Sequence, residues 1–330
     1  MKQYVKRLIF ITGVFLLILM GYNYVVDDYG LFRGDYSTPK LGTPEHYVKM
    51  KFLLQNPQKY NAFCFGPSRV GSIDLTRIHN GYTYYNMTYA AGVPYEWLND
   101  MKQLIAGGVE IRQILLGVDN VSYWGDPKVN EKNFLRRSYK EYDWAQYVLL
   151  LLQKPSIVSA KTKGTVFDIY DTGRPFHYIT EQEIEKDPEK YANNLLYVTT
   201  RGSGNRMDEA MQEIQEIKEL ADENGIELIV FINPMSKVNY LEIDLNEFNE
   251  FKRRLARITG YYDFSGLNEI AIDNHNYYDT AHYRPNVGDK IIDRIFGMED
   301  SPLPRGFGVW VTKDNVEEHI RDLENELNSY

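Results

Sequence analysis

The segment FCFGPSRVGSID, residues 63–74, changes from an apolar run into a turn within a few residues. An unbroken apolar run is typical of a strand that is buried on both faces of a sheet. Gly66 and Pro67 end the run, because both residues favour turns. Ser68 therefore stands directly after a predicted strand.

A serine at this position has two interpretations. It can be a nucleophile held at a strand end, or it can be the N-cap of the helix that follows. Gly71 is a poor residue for the first turn of a helix, and Ser72 or Asp74 would cap a following helix better than Ser68. Both interpretations of Ser68 stay open on this segment alone.

Apolar runs of strand length alternate with segments of helical periodicity along most of the chain. We predict strands over residues 61–66, 82–89, 111–118, 226–234 and 261–264, and helices over residues 94–108, 206–225, 245–258 and 285–296. This alternation predicts an α/β fold with a parallel sheet that is covered on both faces. Ligands of such sheets bind outside the carboxyl ends of the strands, which is where Ser68 is expected.

The N-terminus contains a long apolar segment. Lys2, Lys6 and Arg7 precede residues 8–26, a run of 19 residues without a charge. At about 1.5 Å per residue this run matches a bilayer core, so we interpret it as an uncleaved signal anchor. A cleaved signal peptide, which would have a shorter apolar core and a small-residue cleavage site, and a buried core helix are the alternatives. The positive-inside rule predicts a single-pass cell-membrane protein with residues 28–330 outside the cytoplasm.

The chain divides into an anchor, a linker, a large domain and a tail. The predicted segments are a cytoplasmic stub and anchor (1–27), a linker (28–59), an α/β domain (60–297) and an amphipathic tail (298–330). Residues 121–205 interrupt the alternation and are predicted to be an aromatic-rich insertion. Exposed aromatic rings can stack on sugars, although filling the core is the commoner use of Tyr. The tail is expected to dock on its own domain as a helix, because two heptads are too few for a coiled coil.

Composition excludes some classes of protein. With 37 basic and 46 acidic residues, the net charge is −9 and the pI is about 5.3, which argues against sequence-independent binding of nucleic acid. The single cysteine, Cys64, cannot form an internal disulfide and is expected to be a small buried hydrophobe. His275 has no second His or Cys at ligand spacing, so no metal is expected, and no cofactor is predicted.

A second segment, NYYDTAHYRPNVGDKIIDRI at residues 276–295, contains Asp279 and His282. Side chains three residues apart can face the same way, so the carboxylate can fix the tautomer of the imidazole while the ring takes a proton. If this segment and Ser68 meet at one edge of the sheet, the three residues supply the roles that acyl transfer requires. A pair in a solvated loop is the alternative.

Four segments at predicted strand ends and before the last helix resemble blocks I, II, III and V of the SGNH/GDSL hydrolase-like superfamily. They are FGPSR (65–69), YNMTYAAG (85–92), GVDN (117–120) and DTAHY (279–283). With the predicted anchor, the layout is most similar to the membrane-anchored DltD- and AlgJ-like proteins. The resemblance covers about residues 60–297 without the insertion, and it implies an SGNH (flavodoxin-like) three-layer sandwich with a parallel sheet.

The resemblance also implies roles for individual residues. Ser68, Asp279 and His282 match the catalytic triad of the family. The amides of Ser68 and Gly92 match the backbone donors of its oxyanion hole, with Asn120 as a weaker side-chain candidate.

The sequence departs from the family pattern in two places. Residues 66–68 are Gly-Pro-Ser where the family has Gly-Asp-Ser. Residues 117–120 end in Asp119-Asn120 where the family has Gly-x-Asn-Asp, so the last two residues are inverted. Arg69 and Arg284 flank the predicted site and are candidates for binding an anionic substrate, with solvated surface arginines as the alternative.

The function implied is serine-dependent transfer of an acyl group, expected to be acetyl, outside the cytoplasm. The acceptor would be a hydroxyl of an exported or cell-surface polysaccharide, and the partner a membrane-bound O-acyltransferase. Two alternatives are a carbohydrate esterase that removes acyl groups and a non-catalytic protein that binds the glycan or the acyltransferase.

Overall fold

The computed structural model describes residues 2–27, 32, 44–132, 136, 138–139, 144–152, 166–200, 202, 205–298 and 303–329. The strands are β1 (Ala62–Phe65), β2 (Tyr84–Asn86), β3 (Gln113–Val118), β4 (Val166–Phe167), β5 (Pro175–Phe176), β6 (Glu227–Ile232), β7 (Tyr261–Asp263) and β8 (Val309–Val311). The helices are α1 (Lys2–Val26), α2 (Glu45–Gln55), α3 (Pro94–Ala106), α4 (Val121–Trp124), α5 (Pro127–Lys132), α6 (Trp144–Leu151), α7 (Tyr178–Lys186), α8 (Pro188–Asn193), α9 (Met207–Glu223), α10 (Lys237–Glu242), α11 (Leu245–Ile258), α12 (Glu269–Ile272), α13 (Pro285–Phe296) and α14 (Val316–Ser329). Short 3₁₀ turns cover Ser68–Ser72, Leu75–Arg77 and Asn274–Asn276.

The main sheet has the strand order β2-β1-β3-β6-β7-β8. Neighbouring strands are parallel from β2 to β7, and β8 runs antiparallel to β7. The sheet is therefore mixed, and the prediction of a wholly parallel sheet is wrong at this edge. Numbered one to five along the chain, the parallel strands β1, β2, β3, β6 and β7 lie in the order 2-1-3-4-5. This is the order of a doubly wound sheet, in which the direction of winding reverses between β1 and β3.

Alternate strand residues fill two separate cores. Phe63 and Phe65 of β1 belong to the core that α2, α3, α9, α11 and α14 cover. Cys64 faces the other core with the Ser68–Ser72 turn and α13, and it is fully buried as predicted. Helices on both faces of a largely parallel sheet confirm the α/β class. All five predicted strands and all four predicted helices are present, with ends that shift by a few residues.

The linker predicted over residues 28–59 is wrong in its second half, where α2 forms. His46 and Lys49 of α2 are buried, and so are its apolar residues Val48, Met50 and Leu53. The Lys49 ammonium donates to the carbonyl oxygen of Thr88 at 2.5 Å, so the helix is fixed to the domain. Residues 28–31 and 33–43 lie outside the described residues.

The tail predicted over residues 298–330 is more closely joined to the domain than the sequence indicated. Residues 309–311 form the edge strand β8, which the sequence analysis did not predict. The predicted docking of the terminal helix is confirmed, because α14 packs on α11 and buries Val316, Ile320 and Leu323.

The predicted insertion at residues 121–205 contains α4 to α8 and the small antiparallel sheet of β4 and β5. Residues 133–135, 137, 140–143, 153–165, 201 and 203–204 lie outside the described residues. The insertion packs against the main sheet beside β2, where the Tyr85 hydroxyl donates to the carbonyl oxygen of Ile169 at 3.0 Å.

The N-terminal helix α1 is long and apolar enough to cross a membrane, a property that signal sequences share, and none of its residues is buried. It packs against α6, and the Asn23 amide donates to the carbonyl oxygen of Leu151 at 2.7 Å.

A close approach between α13 and the turn after β1 positions the site. A Cβ on Gly288 would lie 2.5 Å from the carbonyl oxygen of Ser72. Glycine therefore lets the helix that follows His282 pack directly on the turn that begins with Ser68.

Candidate active site

Ser68 begins the 3₁₀ turn that follows β1. Pro67 occupies the N-cap position of this turn, and no side chain caps it. The serine is partly exposed, and its hydroxyl bonds to another segment of the chain. Asp74 caps the next turn by accepting from the Thr76 amide, as the sequence analysis expected for this residue. The capping interpretation of Ser68 is therefore not the one that the structure shows.

The structure brings the three predicted triad residues together. The Ser68 Oγ lies 2.8 Å from His282 Nε2, across 214 residues of sequence. The other ring nitrogen, Nδ1, lies 2.9 Å from each carboxylate oxygen of Asp279. Because an ionised carboxylate can only accept, Nδ1 carries the proton and Nε2 is left to accept from the serine hydroxyl.

The loop between Asp279 and His282 is held by its own backbone. The Asp279 Oδ1 accepts from the amides of Ala281 at 2.8 Å and His282 at 2.9 Å. Burial alone would raise the pKa of Asp279, but the hydrogen bonds from the His282 ring and these two amides outweigh it and hold the pKa below its usual value. The carboxylate is therefore ionised at neutral pH.

A buried network ties the strand ends to this loop. The Arg69 guanidinium donates through Nε to the Ala281 carbonyl oxygen at 2.8 Å and pairs with the Asp119 carboxylate at 2.5 Å. Asp119 follows β3 and also accepts from Asn233, which follows β6, at 3.2 Å. Asn233 in turn accepts from the Tyr283 hydroxyl at 3.1 Å. The carboxyl ends of β1, β3 and β6 are thus linked to the residues on both sides of His282.

Two of the predicted oxyanion donors are engaged in hydrogen bonds elsewhere. The Gly92 amide donates to the Tyr89 carbonyl oxygen at 3.3 Å. The Asn120 amide donates to the Thr200 carbonyl oxygen at 2.8 Å, and its own carbonyl oxygen accepts from Arg69. Neither residue lines the cleft at Ser68. The Ser68 amide makes no hydrogen bond within the described part of the chain, so it can still serve as a donor.

The two predicted substrate-binding arginines are engaged within the protein. Arg69 is 2% exposed and belongs to the buried network. Arg284 pairs with Glu181 at 2.6 Å and donates to the His275 carbonyl oxygen at 3.0 Å. Neither guanidinium lines the cleft, so the structure gives no support for their predicted contact with substrate.

A cleft of about 360 Å³ opens above the triad. It is lined by Glu45, Ser68, Thr88, Pro175, His177, Thr180, Tyr191, Leu196, Tyr278, Asp279 and His282. The insertion supplies one wall, which the sequence analysis did not predict. The only sequence signal for this wall was the enrichment of aromatic residues in the insertion.

Two ionisable residues of the cleft have shifted pKa values. Burial, with a smaller electrostatic effect of the neighbouring His282 ring, lowers the pKa of His177 to about 4, so the His177 ring is neutral at pH 7. Burial raises the pKa of Glu45 to about 7, against the opposing charges of Lys49 and Arg136. Glu45 fell inside the predicted linker, which is why it was missed.

No family model matches the chain, and no curated protein matches it either. Among the described residues, no group of three His, Cys, Asp or Glu side chains could hold a metal ion. The geometry of the site is therefore the basis for assigning a function.

Proposed function

We propose that the protein is a membrane-anchored serine acyltransferase of the SGNH type. The observation that carries the proposal is the continuous relay from Ser68 Oγ through His282 to Asp279 at the carboxyl end of β1. The strand order 2-1-3-4-5 supports it, because the relay lies beside the β1/β3 reversal, where doubly wound sheets bind ligands.

The relay accounts for each proton in acyl transfer. Ser68 Oγ attacks the carbonyl carbon of an ester donor while Nε2 of His282 takes its proton, and Asp279 stabilises the imidazolium. The imidazolium then gives the proton to the departing alkoxide, which leaves an ester on Ser68. A second hydroxyl attacks this ester, His282 takes its proton, and the same proton returns to Ser68 Oγ as the new ester leaves. The Ser68 amide, which makes no hydrogen bond within the described part of the chain, would donate to the developing oxyanion.

We extend the proposal to an acceptor, a location and a partner. Tyr191 and Tyr278 line the cleft, and aromatic rings suit the faces of sugars, which favours a polysaccharide hydroxyl as the acceptor. A span at α1 would hold the domain at the outer face of the membrane, beside a membrane-bound O-acyltransferase that supplies the acyl group, expected to be acetyl.

The esterase alternative has one observation in its favour. The His282 side chain is 33% exposed, so water can approach the acylated serine. Hydrolysis and transfer differ only in which hydroxyl resolves the ester, and their ratio in the presence of excess glycan distinguishes the two activities.

The test uses the full-length protein in membranes, with an isotopically labelled acetyl ester and an unmodified glycan. We expect label on the glycan with wild type and with Ser138→Ala, a matched serine control in the insertion, and none with Ser68→Ala. Release of free acetate without glycan labelling would support the esterase instead. Unchanged labelling in Ser68→Ala would exclude serine catalysis.

A further inference from the structure

Helix α6 is an apolar helix beside α1. Its sequence, WAQYVLLL, contains no charged residue. Leu149 is 61% exposed, and Ala145 is exposed as well. A predominantly apolar helix normally lies inside a large core or in a membrane, and α6 keeps part of its apolar surface exposed.

The contacts of α6 place it at the domain end of α1. The Asn23 amide donates to the carbonyl oxygen of Leu151 at 2.7 Å. One turn before, the Tyr147 ring meets the ring of Phe32 edge-on, with centroids 5.2 Å apart. Phe32 in turn lies 6.2 Å from the ring of Tyr24. Leu151 therefore contacts the last turns of α1 directly, and Tyr147 reaches them through Phe32.

The depth of this contact follows from the length of α1. Asn23 is three residues before the end of the helix, which is about 4.5 Å at a rise of about 1.5 Å per residue. If residues 8–26 cross the bilayer, Asn23 and its partner Leu151 lie just inside the membrane, close to the surface at which the span leaves it. Tyr147 then lies at the level where Tyr and Trp are enriched in membrane proteins.

We infer that α6 is an interfacial helix whose exposed side, marked by Leu149, rests in the lipid of the leaflet next to the domain. The occupant of this surface is lipid, because the surface is continuous with the face of a membrane span and carries no charge that a polar partner would need. This inference rests on the membrane anchoring proposed above. Because α6 belongs to the insertion that walls the cleft, its contact with lipid would fix the orientation of the cleft to the membrane.

The test is a spin-label depth measurement on the full chain in vesicles of phosphatidylethanolamine and phosphatidylglycerol. Leu149→Cys carries the label, and Ala145→Cys is a second reporter on the same helix. Ile18→Cys, in the middle of α1, is the reference for lipid, and Gln215→Cys, exposed on α9, is the reference for water. Cys64 is fully buried and its thiol pKa is raised by burial, so it does not compete for the label.

We expect the ratio of oxygen to nickel-chelate collisions at Leu149 to shift from the Gln215 value toward the Ile18 value. A label at Leu149 that behaves like Gln215, while Ile18 is in lipid, overturns the inference and leaves the anchor intact. A water-exposed Ile18 overturns the anchor and the inference together. A label at position 149 could be shielded from the nickel chelate in native membranes but not in vesicles of the purified protein. That result would show that a protein covers α6, and it also overturns the inference.

Discussion

The Arg69 guanidinium donates through Nε to the carbonyl oxygen of Ala281 at 2.8 Å, so the residue after Ser68 holds the loop that carries His282. The same guanidinium neutralises Asp119, whose side chain is 0% exposed. Arg69 is therefore a positioning residue that sets the distance between the serine and the histidine.

Replacing Arg69 separates its two effects. Arg69→Met leaves Asp119 buried without its cation, which should lower the free energy of unfolding by about 3–5 kcal/mol. Arg69→Lys keeps the positive charge but lacks the planar guanidinium that bonds both Asp119 and Ala281. It should therefore cost less stability than Arg69→Met and still slow the labelling of Ser68. Chemical denaturation and the rate of serine labelling measure the two effects. The control is Arg77→Met, which breaks partly exposed pairs with Asp289 and Asp293 and should cost at most about 1 kcal/mol for each pair.

Replacing Asp279 should change the tautomer of His282. In Asp279→Asn the side-chain amide can donate to Nδ1, so the ring proton moves to Nε2, which then cannot accept from Ser68. We expect serine labelling at pH 7 to slow by about 10³- to 10⁴-fold. Asp273→Asn is the matched control, because Asp273 makes the same kind of bond to the exposed His275, at 2.8 Å. Equal rates in the two variants would contradict the assigned role of Asp279.

His177 should make stability depend on pH in a defined window. Its folded pKa of about 4 lies below the unfolded value of 6.5, so the folded state binds fewer protons between these values. The free energy of unfolding should fall as the pH drops through this window, by about 2–3 kcal/mol from this residue. His177→Gln should remove that part of the slope in urea titrations at pH 7, 5.5 and 4.5. An identical slope in the variant would show that His177 is not held neutral.

The buried pair of Lys252 and Asp263 should support the far side of the sheet. The Lys252 Nζ lies 3.0 Å from Asp263 Oδ2, and both side chains are 0% exposed. Lys252→Met removes the buried cation and leaves Asp263 with only its bonds from His319 and Ser265, so it should lower the free energy of unfolding by about 3–5 kcal/mol. Arg253→Met, at the next position, breaks an exposed pair with Glu317 and should change the free energy of unfolding much less, because solvent screens such pairs.

Asp263 also predicts the effect of acid. Burial alone would raise its pKa, but the charge of Lys252 and the bond from His319 hold the pKa well below its usual value. Its contribution to stability is therefore complete above an unfolded pKa of about 3.9 and is lost as the pH falls below that value. Unfolding by acid can be followed by circular dichroism. Below about pH 3.9, the stability of Asp263→Asn should depend less on pH than the stability of the wild type does.

The sequence allowed the parallel core and the proximity of Ser68, Asp279 and His282 to be predicted, for related reasons. Long apolar runs mark buried strands, and the order of residues after β1 and before α13 placed Ser68 and His282 at one edge. The strand β8 was missed because it has only three residues and follows a Gly-rich turn. The helix α2 was missed because it buries His46 and Lys49, residue types that normally indicate an exposed surface.

The partners of the polar site residues could not be predicted. Arginine normally lies on the surface, so the sequence indicated an exposed Arg69. Only the fold shows that Asp119 and Ala281 accept hydrogen bonds from its guanidinium in the interior. The Gly92 amide donates to Tyr89, and the Asn120 side-chain amide donates to Thr200. Both bonds depend on loop conformations that the sequence does not indicate.

Covalent labelling tests the central claim most directly. The full-length protein is treated with a serine-directed phosphonate, and its peptides are identified by mass spectrometry. The relay of Ser68, His282 and Asp279 predicts one adduct, on Ser68, that disappears in His282→Ala while the melting temperature is retained. An adduct on Ser68 that forms equally fast in His282→Ala, or no adduct in the wild type, would contradict it.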